Sequence, residues 1–295
     1  MTRQELRRIV EENGFKACWP EIEIWLQREI LLSPIESKFD DFSTGGTKQG
    51  GEPDLPPGLS WPKYNRSNII GLRNTSKPMT FLLQLRCGDI KPFAPGPFPD
   101  HGLLSFFVAI EQNMLARDAN DCPIGCVLYM SSFAANNASD VFFSDAFFSE
   151  PLVRTPFPRG LYFGNRLPPC SLKIEPSHGI GFESLNEVIE RHFGYSLNRS
   201  ERVWDFYNRE IIPADCHKMF GSPSMFELDI IEECRLLAKQ NKRNSSENTD
   251  WQLLLEYDLA DLPVENSGRL YFMIRRDDLA AHDFGDVHVL HDTSH

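Results

Sequence analysis

The residues best suited to ligand chemistry lie in two Gly-x-Pro motifs. Gly51-Glu-Pro53 belongs to a stretch rich in glycine and proline, residues 44–62, and Gly221-Ser-Pro223 stands alone. Glycine and proline exclude regular structure, and free amides in such a loop can form an anion-binding nest flanked by Asp54 and Trp61. Alternatively, the loop is a rigid turn whose tryptophan fills the core. The stretch lacks the Lys-Ser/Thr ending of a P-loop, so nucleotide binding is not indicated.

Other candidate sites carry weaker signals. Cys122 and Cys126 have three residues between them, which favours loop thiols over a zinc or redox pair, so no metal and no cofactor is expected. His288 and His291 are three apart on a predicted strand and should point to opposite faces. No Gly-x-Ser-x-Gly elbow is present, and the catalytic residues stay unknown. Cys–His pairs that involve His178 or His217 remain open, because such pairs assemble in space.

An internal repeat surrounds the two motifs. The run Thr80-Phe-Leu-Leu-Gln-Leu and a later Gly-Leu-Leu-Ser-Phe-Phe resemble Trp251-Gln-Leu-Leu-Leu-Glu and Gly-Arg-Leu-Tyr-Phe-Met. Gln84 and Glu256 take equivalent places, at nearly equal distances after the two motifs. The pattern predicts two related halves with a ligand cleft between them. The candidate ligand-binding residues are Gly50, Gly51, Pro53, Asp54, Trp61, Gln84, Gly221, Pro223 and Asp229.

The elements that must position these residues follow from local patterns. Thr2 and Glu5 form a predicted capping box for a first helix. A second helix should start after Pro20, with Ile22 to Ile30 at helical spacing, and end before Pro34. Further helices are predicted over 184–193 and 225–240. Strands are predicted over 79–85, 103–110, 127–130, 251–257, 270–275 and 287–290. Residues 142–148 form an apolar run of ambiguous type, and residues 241–250 should be a mobile polar loop.

Composition limits the class of partner. The chain has 295 residues and a formal net charge of −12, so binding to nucleic acid or to a membrane surface is not expected. The basic residues Arg3, Arg7 and Arg8, and the run Lys239 to Arg243, are read as a helix face and a solvated loop. Seven cysteines without a framework spacing, and a start without an apolar signal segment, favour free thiols in the cytoplasm.

Several blocks resemble one bacterial family, the YwqG-like proteins. They begin with Gly50-Gly-Glu-Pro-Asp-Leu-Pro-Pro-Gly-Leu-Ser-Trp-Pro62, which is similar to its GGxPDLPxxxxWP signature. Phe81–Leu85, 102–107, 219–229, Trp251–Leu255 and 268–284 match its later blocks in family order. Ser222 and Glu227 stand where the family usually has Tyr and Gln. The resemblance implies a duplicated cytoplasmic α+β fold without an established activity, and an association of related genes with toxin–immunity loci.

The sequence therefore predicts an α+β fold with pseudo-twofold-related antiparallel sheet halves and helices packed on them. A helical segment, residues 1–45, precedes a single domain, residues 46–290, with halves of about 46–155 and 156–290. The preferred function is a non-enzymatic protein-binding module whose partner presents a basic surface, and the resemblance implies an immunity- or toxin-associated role for it. The alternative is a small-ligand-binding protein or enzyme that uses the cleft between the halves. The oligomeric state stays open.

Overall fold

The computed structural model describes the whole chain except residues 36–41, 66–75, 112, 119, 132–151, 159–165, 195, 214–215, 226–227, 241–249, 263, 266–267 and 294–295. The helices are α1 (Arg3–Glu12), α2 (Trp19–Trp25), α3 (Cys87–Ile90), α4 (Phe182–Phe193), α5 (Leu197–Phe206), α6 (Ile230–Gln240) and α7 (Arg276–Ala280). Tyr207–Ile211 forms a π-helical turn, and Lys16–Cys18 and Leu259–Asp261 form 3₁₀ turns.

The strands are β1 (Gln27–Ile35), β2 (Lys48–Gln49), β3 (Asp54–Leu55), β4 (Lys63–Asn65), β5 (Ser76–Pro78), β6 (Thr80–Arg86), β7 (Leu103–Val108), β8 (Ile110–Glu111), β9 (Met114–Leu115), β10 (Gly125–Met130), β11 (Val153–Arg154), β12 (Ser171–Gly179), β13 (His217–Phe220), β14 (Trp251–Asp258), β15 (Arg269–Arg275) and β16 (His288–Asp292). One sheet has the order β12-β1-β13-β14-β15-β16 and the other β10-β7-β6-β2. Neighbouring strands in both sheets are antiparallel. The predicted α+β class with antiparallel sheets is confirmed.

The main core lies between the two sheets. Phe106 on β7 meets Phe272 on β15 edge to face, with ring centroids 5.2 Å apart. Ile30, Leu82 and Leu254 are fully buried in the same cluster. Alternate strand positions on the inner faces supply this core, as expected for sheets packed face to face.

Helices and loops cover the outer faces. α6 packs on the six-stranded sheet through Ile230 and Cys234, which contact Leu253 and Tyr271 in one cluster. The helices α1, α2, α4 and α5 form a separate core with the π-helical turn. The predicted capping box is confirmed, because the Thr2 side chain accepts the Glu5 N–H and Glu5 accepts the Thr2 N–H. No helix within the described residues is long and apolar enough to cross a membrane.

The second predicted helix ends earlier than expected. α2 stops at Trp25, and Gln27 begins strand β1, so the helix predicted for residues 27–33 was wrong. Ile30 and Leu32 are both fully buried between the sheets, which is strand periodicity. A short apolar run fits both the helix period and the strand period, and here the pairing with β12 and β13 makes it a strand. Pro34 is tolerated because β13 pairs with β1 only as far as Leu32.

The remaining predicted elements lie within a few residues of the observed ones, except that α6 begins five residues after the predicted 225. β12, β13, α5, the π-helical turn and several shorter elements were not predicted. The stretch 44–62, from which regular structure was excluded, contains the two-residue strands β2 and β3, so that prediction was wrong. The apolar run 142–148 lies outside the described residues, as does the polar run 241–250 apart from Asp250.

Candidate functional site

The first Gly-x-Pro loop encloses a buried lysine. β2 places Lys48 opposite Gln84 on β6. Lys48 Nζ lies 3.1 Å from Asp54 Oδ2 and donates to the Glu52 carbonyl at 2.7 Å. Gln84 Nε2 donates to Asp54 Oδ2 at 2.7 Å, and Gln84 Oε1 accepts the Asp54 N–H at 2.9 Å. Lys48, Asp54 and Gln84 are at most 2% exposed, so the chain itself satisfies the polar groups predicted to bind a ligand.

The glycines of this loop serve close packing rather than anion binding. Gly50 and Gly51 have φ of +63° and +68°. The Gly51 N–H donates to the Leu167 carbonyl at 2.9 Å, and the Gly50 N–H donates to the Leu82 carbonyl at 2.8 Å. A Cβ on Gly50 would lie 2.3 Å from the Pro168 oxygen. Both amides already donate hydrogen bonds to carbonyls of the chain, which favours the rigid-turn interpretation of the loop.

Trp61 lies in the core rather than at a pocket. It is 6% exposed and packs with Met79, Phe81 and Phe107 on the outer face of the four-stranded sheet. Its Nε1–H donates to the Met79 carbonyl at 2.8 Å. Pro53 is likewise buried.

The second Gly-x-Pro loop repeats the arrangement with the carboxylate in a different place. Lys218 on β13 lies opposite Glu256 on β14, with Nζ 3.1 Å from Glu256 Oε2. Lys218 Nζ donates to the Ser222 carbonyl at 2.8 Å and to Ser224 Oγ at 3.2 Å. The Ser224 N–H donates to Glu256 Oε2 at 2.9 Å. Phe220 and Gly221 have φ of +60° and +71°, as the glycine pair of the first loop does.

More charge is buried here than at the first loop. Arg269 Nη1 lies 3.1 Å from Glu256 Oε1, and Lys218 Nζ lies 3.8 Å from Glu29 Oε2. Burial alone would raise the pKa of Glu256, but Lys218 and Arg269 outweigh it and lower the pKa. Burial raises the pKa of Glu29, which Lys218 only partly offsets. Two carboxylates and two cations therefore share one dry cluster.

A histidine connects the two loops. His217 Nδ1 accepts the Asp258 N–H at 3.0 Å, so Nε2 carries the proton and faces Gln49 Oε1 at 2.9 Å. Gln49 Nε2 in turn donates to Tyr257 Oη at 3.1 Å and to Asp261 Oδ2 at 3.0 Å. The His217 ring stacks on Tyr257 with centroids 4.0 Å apart. Burial, with Arg269 nearby, lowers the pKa of His217 to about 3, which makes it a neutral hydrogen-bonding group.

The thiols and the C-terminal histidines occupy structural environments. Burial raises the pKa of Cys170 and of Cys216 to about 11, and that of Cys126 to about 12, which disfavours thiolate chemistry. His288 packs on Trp251 with centroids 4.6 Å apart, and His291 Nδ1 lies 3.0 Å from Arg117 Nη2. Within the described part of the chain, no group of three His, Cys, Asp or Glu side chains is placed to hold a metal ion.

A cleft of about 470 Å³ opens beside the second loop. Residues from six segments of the chain line it: Gln27 and Arg28; Pro95, Gly96 and Pro97; Phe220, Gly221, Ser222 and Pro223; Ile231; Asp250, Trp251, Gln252 and Leu253; and Arg276. Of the predicted ligand-binding set, it contains Gly221 and Pro223. Asp54 and Gln84 are enclosed at the first loop, and exposed Asp229 accepts the Ile231 and Glu232 N–H groups at the start of α6. The structure thus does not gather the predicted set around one cleft.

The sequence reasoning missed the two buried lysines, although a signal for them exists. Lys48 and Lys218 each stand three residues before the glycine of a Gly-x-Pro motif, so Lys-x-x-Gly-x-Pro recurs.

Comparison with protein families gives one match. The model of a domain of unknown function, DUF1963, matches residues 47–292, which include both Lys-x-x-Gly-x-Pro loops. The chain belongs to the DUF1963 family. The resemblance to the YwqG-like proteins is consistent with this DUF1963 membership. No curated protein gives a significant match to this DUF1963 chain.

Proposed function

We propose that this chain is a non-enzymatic protein-binding module whose partner presents a basic surface. One observation supports this above the others: the charged side chains at both Gly-x-Pro loops are buried and paired within the chain. Such groups stabilise the fold and are not exposed to a substrate. The exterior carries the excess of acidic residues behind the net charge of −12, and that surface attracts a basic partner.

One acidic group lies close to the cleft. It consists of Asp277 and Asp278 on α7 and of Asp283 and Asp286 just after it, and we call it the α7 acidic group. Arg275 Nη1 lies 3.4 Å from Asp286 and 4.0 Å from Asp278. Burial is the main cause of the raised pKa of Asp278; Arg275 opposes it, and the other three carboxylates of the group add to it. A basic patch on a partner would relieve that repulsion.

The proposal includes a duplicated origin for the two halves. Both sheets contain a β-bulge at the same point, between Phe81 and Leu83 and between Leu253 and Leu255. The carbonyls of Gly102 and Gly268, with φ of +101° and +109°, accept the Cys87 and Leu259 N–H groups. The strand orders β10-β7-β6-β2 and β16-β15-β14-β13 correspond, and β1 and β12 extend only the second sheet. Shared irregularities of this kind support descent from one repeat.

The cellular setting is also a proposal. All seven cysteines are free thiols, which suits a reducing cytoplasm. The family resemblance favours a bacterial host and a basic toxin domain as the kind of partner.

The experiment is affinity purification of the tagged protein from its host, with mass spectrometry of whatever co-purifies. The dissociation constant of a purified partner is then measured at 50 and 300 mM salt. We expect Asp277→Asn/Asp283→Asn to weaken binding at least tenfold at low salt and to reduce the salt dependence. The matched control Glu187→Gln/Glu201→Gln neutralises two exposed carboxylates on α4 and α5 and should leave affinity unchanged. Equal binding by both variants would contradict the proposed acidic face.

The second candidate, a small-ligand-binding protein or enzyme, is favoured by the cleft itself. Its volume of about 470 Å³ suits a small molecule, and Arg28 and Arg276 line it. Mass spectrometry of the protein purified under native conditions separates the candidates. A small molecule retained at one equivalent per chain, and lost on Gln27→Trp, would replace the protein-binding proposal.

A further inference from the structure

The cleft lies where β14 lacks a neighbouring strand. On one side, β14 pairs with β15 from Trp251 to Asp258. On the other side, within the described residues, β13 pairs with it only through Lys218 and Glu256. The two strands diverge beyond that pair, and the cleft occupies the opening, with Phe220 on one wall and Leu253 on the other.

The backbone groups that face this opening can be identified. The Arg276 N–H donates to the Asp250 carbonyl at 2.9 Å, so residues 250 and 252 direct their N–H and C=O groups toward β15. Trp251 and Leu253, which alternate with them, direct theirs toward the cleft. In the described part of the chain, β13 forms no ladder pair with Trp251 or Leu253, and no turn or loop backbone group bonds to them. The Trp251 Nε1–H, on a side chain 4% exposed, and the Gln252 amide nitrogen are also buried without a partner there.

The first sheet shows what completes such an edge. Counting from the shared bulge, Met79 corresponds to Trp251. The Met79 N–H donates to the Pro62 carbonyl at 2.9 Å, and the Met79 carbonyl accepts the Trp61 Nε1–H at 2.8 Å. The same segment continues as β4, which pairs antiparallel with β5. An extended stretch of this chain, Trp61–Asn65, therefore covers the edge that is open at Trp251.

We propose that the cleft binds an extended, mainly apolar segment of a partner protein, which adds as a strand to the open edge of β14 at Trp251–Leu253. This inference rests on the proposed protein-binding function and specifies how the partner is held. Main-chain hydrogen bonds to Trp251 and Leu253 give affinity, and the walls select side chains. Those walls are apolar at Phe220, Pro223 and Ile231.

The charges of the cleft fit a polypeptide better than an anion. Arg276 Nε is already paired with Asp250 Oδ2 at 2.8 Å, so the two side chains largely cancel. Arg28 is exposed at the mouth of the cleft and adds one positive charge. A bound strand can pair with both the N–H and the C=O groups of Trp251 and Leu253, whereas a small anion could accept only from the N–H groups and would leave the carbonyls without a donor.

The test uses a random octapeptide phage library selected on the immobilised protein, followed by fluorescence polarisation with the selected peptides. Gln27→Trp places a bulky side chain at an exposed position of the cleft. The matched control Lys173→Trp makes the same change at an exposed position of β12, away from the cleft. Circular dichroism establishes that both variants fold.

We expect peptides with alternating apolar residues that bind wild type and Lys173→Trp equally and Gln27→Trp at least tenfold more weakly. In an extended peptide, the N–H groups of successive residues face opposite edges. N-methylation of the residues on one edge should abolish binding, and N-methylation of those on the other edge should be tolerated, which is the signature of an added strand. Equal sensitivity of the two edges overturns the proposal. So does binding that depends on peptide carboxylates and is lost on Arg28→Gln, which indicates an anion site.

Two further outcomes also overturn it. Failure to select any peptide that Gln27→Trp weakens means that the edge is not a docking site. Concentration-dependent dimerisation in analytical ultracentrifugation that Gln27→Trp abolishes assigns the cleft to a second copy of this chain. Either result leaves the partner assay with Asp277→Asn/Asp283→Asn intact, so the strand-addition proposal can fail while the proposed function stands.

Discussion

The two Lys-x-x-Gly-x-Pro loops satisfy the same buried lysine in different ways. At the first loop the carboxylate is Asp54, on the loop, and the strand supplies the neutral Gln84. At the second loop the carboxylate is Glu256, on the strand, and the loop supplies the neutral Ser224. Each lysine also donates to the carbonyl of the residue four positions after it in the chain. The fold therefore requires one carboxylate within reach of the lysine and tolerates either position for it.

The loops differ in what else is buried with them. Asp54 also meets Arg154, which is 39% exposed and partly hydrated. Glu256 pairs with Arg269, which is 5% exposed, and Lys218 also pairs with Glu29. Water can therefore reach the first cluster and not the second. Removal of one member should cost more where no water can replace it.

The largest predicted effect follows from this difference. Lys218→Met removes the cation 3.8 Å from Glu29 and leaves Arg269 as the one cation paired with Glu256 among the described residues, so the unfolding free energy should fall by about 3–5 kcal/mol. Lys48→Met should cost about 1–2 kcal/mol less, because Arg154 still neutralises Asp54. Urea unfolding at 25 °C measures both. Lys239→Met, at an exposed position on α6, is the control and should change stability by less than about 0.5 kcal/mol. Equal losses at the two loops would show that solvent access does not separate them.

A second prediction concerns the residue just before each lysine. Thr47 accepts the Arg86 N–H at 3.0 Å and donates to Asp89 at 2.7 Å. His217 accepts the Asp258 N–H in the corresponding place and lies 3.3 Å from Asp261. Threonine has no titratable side chain, whereas an imidazole does, with a pKa of about 6.5 in an unfolded chain.

The pKa of His217 is lowered from 6.5 to about 3 in the folded state, so the unfolded chain binds the extra proton between these values. The stability that the neutral His217 contributes is therefore complete above pH 6.5. It is lost as the pH falls below 6.5, at up to about 1.4 kcal/mol per pH unit. His217→Gln should be less stable at pH 7 but should lose less stability between pH 7 and pH 5. Thr47→Val should keep the wild-type pH dependence. Parallel pH profiles for wild type and His217→Gln would refute the assignment of a neutral buried histidine.

What the sequence could predict was the chemistry that follows local rules. The capping box at Thr2, the strands around Gln84 and Glu256, and the pairing of Gly51 with Gly221 all depend on short patterns. The strand at Ile30 could not be told from a helix, because an apolar run of that length fits both periods until its neighbours are known.

The buried cluster was hidden for a different reason. Lysine is almost never fully buried, so a sequence pattern assigns Lys48 and Lys218 to the surface until the structure shows a carboxylate beside each. The partners come from distant strands, and no local pattern brings Glu29 to Lys218. The open edge at Trp251 is likewise a difference between two sheets, and only the three-dimensional structure shows which strand lacks a neighbour.

The smallest predicted effect tests whether the two loops are interchangeable. The double variant Asp54→Ser/Gln84→Glu gives the first loop the groups of the second. Asp54→Ser alone leaves Lys48 and Arg154 without their carboxylate, and Gln84→Glu alone buries a second carboxylate beside one lysine, so each should destabilise the fold. The double variant should lose about 1–3 kcal/mol less unfolding free energy than the two single variants lose in sum. A double-mutant cycle measured by urea unfolding gives this difference, the recovery.

The reverse exchange is the control for this cycle. Ser224→Asp/Glu256→Gln moves the carboxylate onto the second loop, but it removes the partner 3.1 Å from Arg269 Nη1. Recovery should therefore be smaller there than at the first loop, because within the described residues the buried guanidinium then keeps Asp258 and two carbonyls. Additive losses at both loops would mean that the lysine does not couple loop to strand. Equal recovery at both would mean that Arg269 is stabilised mainly by Asp258 and the carbonyls rather than by Glu256.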